Sequence, residues 1–133
     1  MRWNELTVDL SVVKRNYEYL KSITKAEVAC TIKSDGYGIV IKECANLFLQ
    51  NGCKTFFVAH IDEGIEVRNL LGNNANVYVL HGVVNGEEKD FLAHKLIPVI
   101  NNEYQFNIWE NFAIKKQILL EYALHIDTGI NRL

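Results

Sequence analysis

The chain has 133 residues, of which 49% are hydrophobic, so it is long enough to bury the core of one compact domain. Its 14 basic and 16 acidic residues give a formal net charge of −2, which gives no reason to expect a nucleic acid or an anionic membrane as a partner. The opening residues 1–5 lack the apolar core of a secretory signal, and no later apolar run approaches bilayer length. We therefore expect a cytoplasmic protein.

Short β-branched or aromatic runs alternate with longer segments of helical period, which is typical of βα units around a parallel sheet. Ser11 is predicted to cap a first helix that reaches Leu20. The later predicted elements are, in chain order, a strand over 27–33, a helix over 40–50, a strand over 55–59, a helix capped by Asp62 and reaching Leu71, a strand over 77–80, a short helix over 87–93, a strand over 96–100 that contains Pro98, a helix over 104–112 and a strand over 121–127.

The three cysteines, Cys30, Cys44 and Cys53, form an odd number and have no CxxC spacing. This pattern favours neither a disulfide framework nor a zinc site. We predict three reduced thiols that are buried as small apolar residues, and we expect no metal site.

Five parallel strands at a spacing of roughly 20 to 27 residues fit either a (β/α)₈ barrel or a doubly wound sheet, and the spacing does not choose between them. A doubly wound nucleotide-binding domain is disfavoured because no GxGxxG motif or P-loop follows the first strand. A complete barrel typically needs about 250 residues and eight strands. The sequence therefore predicts an α/β fold that forms part of a (β/α)₈ TIM barrel, with helices on the outer face.

Lys33 lies at the carboxyl end of the first predicted strand, in the run 32–38, which reads IKSDGYG. Functional groups of such folds collect at this end of the strands, and glycines let the backbone approach a bound group. Taken alone, Lys33 would be interpreted as a solvated surface lysine. The run 32–38, however, closely resembles the pyridoxal-phosphate lysine motif of alanine racemases.

Two further stretches carry the same resemblance. Residues 59–68, AHIDEGIEVR, are similar to the family segment in which alanine, glutamate and arginine follow the second barrel strand. By itself this stretch also fits an amphipathic helix with Glu63 and Arg68 on its solvated face. Residues 125–133, HIDTGINRL, resemble the family segment of aspartate, threonine, glycine and a later arginine and leucine. Residues 1–133 are therefore identified as the amino-terminal portion of an alanine racemase-like barrel domain, without the carboxyl-terminal domain.

The resemblance implies a cofactor, pyridoxal 5'-phosphate, which Lys33 would hold as an aldimine before acting as the catalytic base on one face of alanine. It implies further cofactor contacts from Tyr37 near the phosphate, Arg132 at the phenolic oxygen and Leu80 against the ring. The implied reaction interconverts L- and D-alanine, as a source of D-alanine for peptidoglycan. The second base would be a tyrosine from the carboxyl-terminal domain of a partner subunit. Because a half barrel exposes two bare strand edges, we expect a homo-oligomer, most simply a dimer.

The sequence departs from the family pattern at two places near these residues. Ile39 and Val40 replace a usual histidine-glycine pair, and His125 stands where many alanine racemases have a lysine that is often carbamylated. An imidazole cannot reproduce the negative charge of a carbamate, so we expect Arg132 to be oriented differently or less firmly. The alternative function is a catalytically inactive half-barrel fragment that self-associates through its bare strand edges.

Overall fold

The computed structural model describes residues 4–132, and these residues form a sheet of five parallel strands. Neighbouring strands pair in the order β1-β2-β3-β4-β5. This order follows the chain without the reversal that defines a doubly wound sheet, so the strands form part of a barrel wall that is not closed, as predicted. The strands are β1 (Cys30–Thr31), β2 (Thr55–Val58), β3 (Asn76–Val79), β4 (Ile97–Ile100) and β5 (Ala123–Leu124).

Each of the five predicted helices is present, although the boundaries differ. They are α1 (Leu10–Ser22), α2 (Ile41–Gln50), α3 (Ile61–Leu71), α4 (Glu88–Ala93) and α5 (Glu103–Lys116). The predicted caps Ser11 and Asp62 are wrong, because α1 and α3 begin earlier than the sequence suggested. Asp9 caps α1, and its carboxylate accepts the Ser11 amide at 2.9 Å. His60 occupies the N-cap position of α3.

The two outer strands, β1 and β5, are much shorter than the predicted segments 27–33 and 121–127. Each pairs with a neighbour on one side only, so no second ladder extends it. Pro98 lies inside β4, where it pairs with Val79 and is fully buried. Proline lacks the amide donor that a central strand normally uses, so β4 is an exception to the usual rule for this residue.

The two faces of the sheet have different roles because side chains alternate along each strand. On the outer face, Val58, Val77 and Val79 are buried against the helices. Gly64 lets α3 approach this face closely, since a Cβ there would lie 3.1 Å from a methyl group of Leu96. On the opposite, concave face Phe57 and Tyr78 are half-buried, and this face carries the site described below.

The three cysteines are buried free thiols, as predicted. Among residues 4–132 no helix is both long enough and apolar enough to cross a membrane. Tyr17 of α1 closes one side of the core, with its ring 5.3 Å from that of Phe48 and its hydroxyl donating to the Val28 carbonyl.

Candidate active site at the carboxyl ends of the strands

A pocket of about 510 Å³ opens on the concave face, at the carboxyl ends of the strands. A larger pocket of about 700 Å³ lies between α4 and α5 on the outer surface, away from every predicted site residue. Three of the four predicted site residues, Lys33, Leu80 and Arg132, line the pocket on the concave face. The other lining residues are Phe57, Ala59, His60, His81, Val99, Asn101, Ala123, Leu124, His125 and Ile130.

Lys33 follows β1 closely and opens a one-turn segment, Lys33–Tyr37, whose backbone is left-handed. Ser34, Asp35 and Gly36 have φ values of 54°, 52° and 65°, and Tyr37 continues the turn at 58°. A left-handed backbone costs about 1–2 kcal/mol for each residue other than glycine, so such a turn persists only where other contacts hold it. The sequence predicted a loop here but gave no sign of this strain.

The Asp35 side chain supplies one of the contacts that hold the turn. Its Oδ1 accepts the amide of Ile41 at 2.7 Å, which joins the turn to the start of α2. The backbone adds bonds from Val40 and Gly38 to the Asp35 carbonyl, at 3.0 and 3.1 Å. The turn is therefore tied to the helix that follows it.

Glu63, in the first turn of α3, contacts the same turn from the helix that follows β2. Its Oε1 accepts the Ser34 amide at 2.6 Å, while its Oε2 accepts the amides of Ala59 and His60 at 2.7 and 3.3 Å. The side chain is half-buried and bonded to backbone on both oxygens. The alternative that places it on a solvated helix face is wrong.

The Arg68 side chain also makes several hydrogen bonds to backbone, at the opposite end of the strands. It donates to the carbonyls of His94, Gly72, Ala75 and Lys95 at 2.9, 2.6, 2.8 and 2.8 Å. These carbonyls precede β3 and β4, so the guanidinium links two loops far from the pocket. A solvated role is wrong for this residue too, and its function is structural.

Tyr37 lies beside Lys33 but does not line the pocket. The Lys33 amine is 6.0 Å from the centre of the Tyr37 ring, at the outer limit of a cation–π contact. The Tyr37 side chain is 63% exposed. Its predicted contact with a phosphate stays a prediction.

Asn101, which directly follows β4, fixes the protonation pattern of His125. Its Nδ2 donates to the Leu80 carbonyl at 2.9 Å, and its Oδ1 lies 3.0 Å from His125 Nδ1. Because an amide oxygen can only accept, His125 Nδ1 must carry a proton. In the neutral imidazole, Nε2 is then the nitrogen that can accept a hydrogen bond.

Arg132 is exposed and reaches the pocket from the segment after β5. The turn before it is held by Asp127, whose carboxylate accepts the Gly129 amide at 2.8 Å. This bond lowers the pKa of the Asp127 carboxyl below its usual value. The last residue of the matching motif, Leu133, lies outside the described residues.

The sequence interpretation missed three polar residues of the pocket: His60, His81 and Asn101. The rings of His60 and His81 lie 5.0 Å apart. All three come one or two residues after a strand, and that position was the signal that could have identified them. Despite these histidines, no group of three potential metal ligands lies close enough to hold an ion in the part of the chain that the structure describes.

Comparison with known proteins gives a consistent result. The family described as "Alanine racemase, N-terminal domain" matches residues 8–133. An alanine racemase of Rickettsia canadensis is 40% identical over 129 residues, which are 96% of this chain and 36% of that protein. An alanine racemase of Rickettsia typhi is 38% identical over 128 residues, which are 96% of this chain and 32% of that protein.

Solved structures show the same fold. Alanine racemase from Bartonella henselae, with covalently bound pyridoxal phosphate, matches with a TM-score of 0.88 and 26% identity, over 95% of this chain and 35% of that one. A histidine racemase from Leuconostoc mesenteroides matches with a TM-score of 0.82 at 22% identity, which shows the fold alone. The chain spans about a third of the length of these relatives. Because the match to the family's N-terminal domain runs through nearly all of its residues, the chain belongs to the alanine racemase family.

Proposed function

We propose that this chain supplies the lysine-bearing part of a pyridoxal-phosphate-dependent amino-acid racemase that interconverts L- and D-alanine. One observation carries the proposal: the lysine of the family motif, Lys33, lies on the wall of a pocket at the carboxyl ends of the strands. The names of the relatives support alanine as the substrate. In this role the protein would be cytoplasmic and would provide D-alanine for peptidoglycan.

The chemistry of the pocket residues fits pyridoxal 5'-phosphate. A lysine amine can condense with an aldehyde with loss of one water, and Leu80 and Val99 offer an apolar surface for a ring. Arg132 provides a cation for the phenolic oxygen, and Tyr37 is the proposed contact for the phosphate. When bound, this cofactor supplies an electron sink that acidifies the α-carbon–hydrogen bond of an amino acid.

The residues of this chain would then transfer a proton and determine which groups can reach it. Lys33 Nζ is the proposed base that accepts or returns the α-proton on one face of the substrate. The half-buried Leu80 would limit access of water to that amine. His125, whose Nδ1 proton is fixed by Asn101, offers its Nε2 as an acceptor within the same pocket. A tyrosine of a partner subunit is the proposed second base, which makes a dimer part of this proposal.

A labelling experiment tests the proposal directly. The protein is mixed with pyridoxal phosphate, reduced with borohydride, and the labelled residue is mapped by peptide mass spectrometry. We expect label at Lys33 and its loss in Lys33→Ala, whereas Lys42→Ala, which removes an exposed lysine of α2, should keep it. Equal labelling of many surface lysines, unchanged by Lys33→Ala, would contradict the proposed cofactor site.

The second candidate function is self-association of a catalytically inactive half barrel. It is favoured by the outer strand β5 and the residues that flank it, because Tyr122, Leu124 and Ile126 are 46%, 62% and 70% exposed. An apolar strand that pairs on one side only is prone to pair with another chain. Sedimentation of the protein and of Leu124→Lys tests this candidate. Concentration-dependent dimers that Leu124→Lys disrupts, together with no label at Lys33, would favour it over the racemase.

A further inference from the structure

Three backbone amides from two loops converge on one carboxylate beside the proposed catalytic lysine. Glu63 accepts the Ala59 and His60 amides on one oxygen and the Ser34 amide on the other. Ala59 and His60 follow β2, whereas Ser34 directly follows Lys33. The carboxylate therefore bridges the carboxyl ends of two neighbouring strands.

The bonds on the two oxygens differ in their surroundings. The bond from Ala59 is partly buried, so it anchors the carboxylate on the β2 side. The bond from Ser34 is more exposed but short, at 2.6 Å, and it starts from the first left-handed residue of the turn. Hydrogen bonds to a charged acceptor contribute more than neutral ones, so this contact offsets part of the strain of the turn.

We propose that Glu63 is a positioning residue for Lys33, a role that rests on the proposed function. By holding the Ser34 amide, its carboxylate keeps the left-handed turn closed and directs the Lys33 side chain into the pocket. Without that bond the turn can relax toward a right-handed backbone, because Ser34 and Asp35 are not glycines. The Lys33 amine would then leave the pocket wall while the rest of the fold stayed intact.

The hydrogen bonds at position 63 require a carboxylate rather than an amide side chain. Both oxygens of Glu63 face backbone N–H donors, so each must accept. Glutamine has one accepting oxygen and one donating nitrogen, and it would set its NH₂ group against one of these donors. Glu63→Gln keeps the shape of the side chain and removes one bond, which makes it the most informative substitution.

The test compares Glu63→Gln with Glu66→Gln, which changes an exposed glutamate on the same helix. The rate of borohydride-trapped labelling at Lys33 is measured with pyridoxal phosphate and separately with formaldehyde, which is too small to need the pocket. We expect labelling by pyridoxal phosphate to slow by about tenfold or more in Glu63→Gln, because misplacement of a reacting group has effects of this size. Labelling by formaldehyde, and both rates in Glu66→Gln, should be unchanged.

The outcomes separate the two proposals. If wild-type protein is not labelled at Lys33 by pyridoxal phosphate, the proposed function fails, whatever Glu63 does. If wild-type and Glu63→Gln are labelled at equal rates, the positioning role is overturned. A parallel loss of labelling by both aldehydes would show general disruption and would overturn it as well.

Two further measurements test the positioning role of Glu63 if the Glu63→Gln protein fails to fold. Glu63→Asp keeps the charge but shortens the reach, so it should slow labelling by pyridoxal phosphate and spare labelling by formaldehyde. In the wild type, the Ser34 amide should be protected from hydrogen exchange with solvent, because it donates to the Glu63 carboxylate. A Ser34 amide that exchanges as fast as an unbonded amide would remove the contact on which the role depends.

Discussion

Replacing Arg68 with alanine is expected to lower the free energy of unfolding by about 3 kcal/mol. Two of its four hydrogen bonds, to the His94 and Ala75 carbonyls, are partly buried. Hydrogen bonds to a charged group contribute about 1.5–3 kcal/mol each, and the two exposed bonds add little because water can replace them. Burial lowers the pKa of the guanidinium, so part of the gain is lost to desolvation and the lower value applies.

Urea unfolding followed by circular dichroism measures this change. With a slope of about 2 kcal/mol per molar urea, the midpoint should fall by roughly 1.5 M in Arg68→Ala. Arg15→Ala is the matched control, because Arg15 is exposed and makes one bond, at 3.1 Å, to the Ser11 hydroxyl. Its free energy of unfolding should stay within about 0.5 kcal/mol of the wild type.

Arg68→Lys tests the geometry rather than the charge. A single ammonium cannot reach carbonyls on both loops as the planar guanidinium does, so most of the loss should remain. If Arg68→Ala and Arg15→Ala had the same midpoint, the structural role of Arg68 would be refuted. Full stability of Arg68→Lys would show that charge alone matters at this position.

Two further predictions concern the edge of the sheet that carries the pocket. Gly82→Ala should lower the free energy of unfolding in urea by about 3 kcal/mol, because its Cβ would overlap the Gln105 side chain. Gly38→Ala should lower it by about 1 kcal/mol, because Gly38 has a similar φ but open space around it. Equal losses in the two variants would contradict the steric explanation. Asn101→Leu should release His125 from its single tautomer, which changes the nitrogen chemical shifts of the imidazole, and unchanged shifts would contradict the hydrogen bond between them.

Local pattern was sufficient to predict the elements and their order. The alternation of apolar runs with helical segments predicted five parallel strands, and the structure confirms them in a sequential, barrel-like order. The same alternation predicted that Lys33 lies at the carboxyl end of a strand, and in the structure Lys33 lines a pocket. These features depend on side-chain periodicity within one element, which a single sequence displays directly.

Features that depend on distant partners were not predicted. The left-handed turn after Lys33 is held in part by Glu63, which lies 29 positions further along the chain. A solvated face stayed open as an alternative for Arg68, because its partners are carbonyls and every residue carries a carbonyl whatever its side chain. The N-cap of α1 was misplaced because Asp9 and Ser11 are both good capping residues, and the backbone decides between them.

Two charged side chains of α3, Glu63 and Arg68, bond to loops at opposite ends of the sheet. Glu63 bonds to loops that follow β1 and β2, at the pocket, whereas Arg68 bonds to loops that precede β3 and β4, on the far side. In a parallel sheet, residues at the carboxyl ends can change chemistry while those at the amino ends govern stability. Substitutions at Arg68 should therefore alter unfolding but spare labelling of Lys33 in the folded protein, whereas Glu63→Gln should slow that labelling even in protein that is folded. Slower labelling of Lys33 in folded Arg68→Ala would mean that the two ends of this partial barrel are not independent.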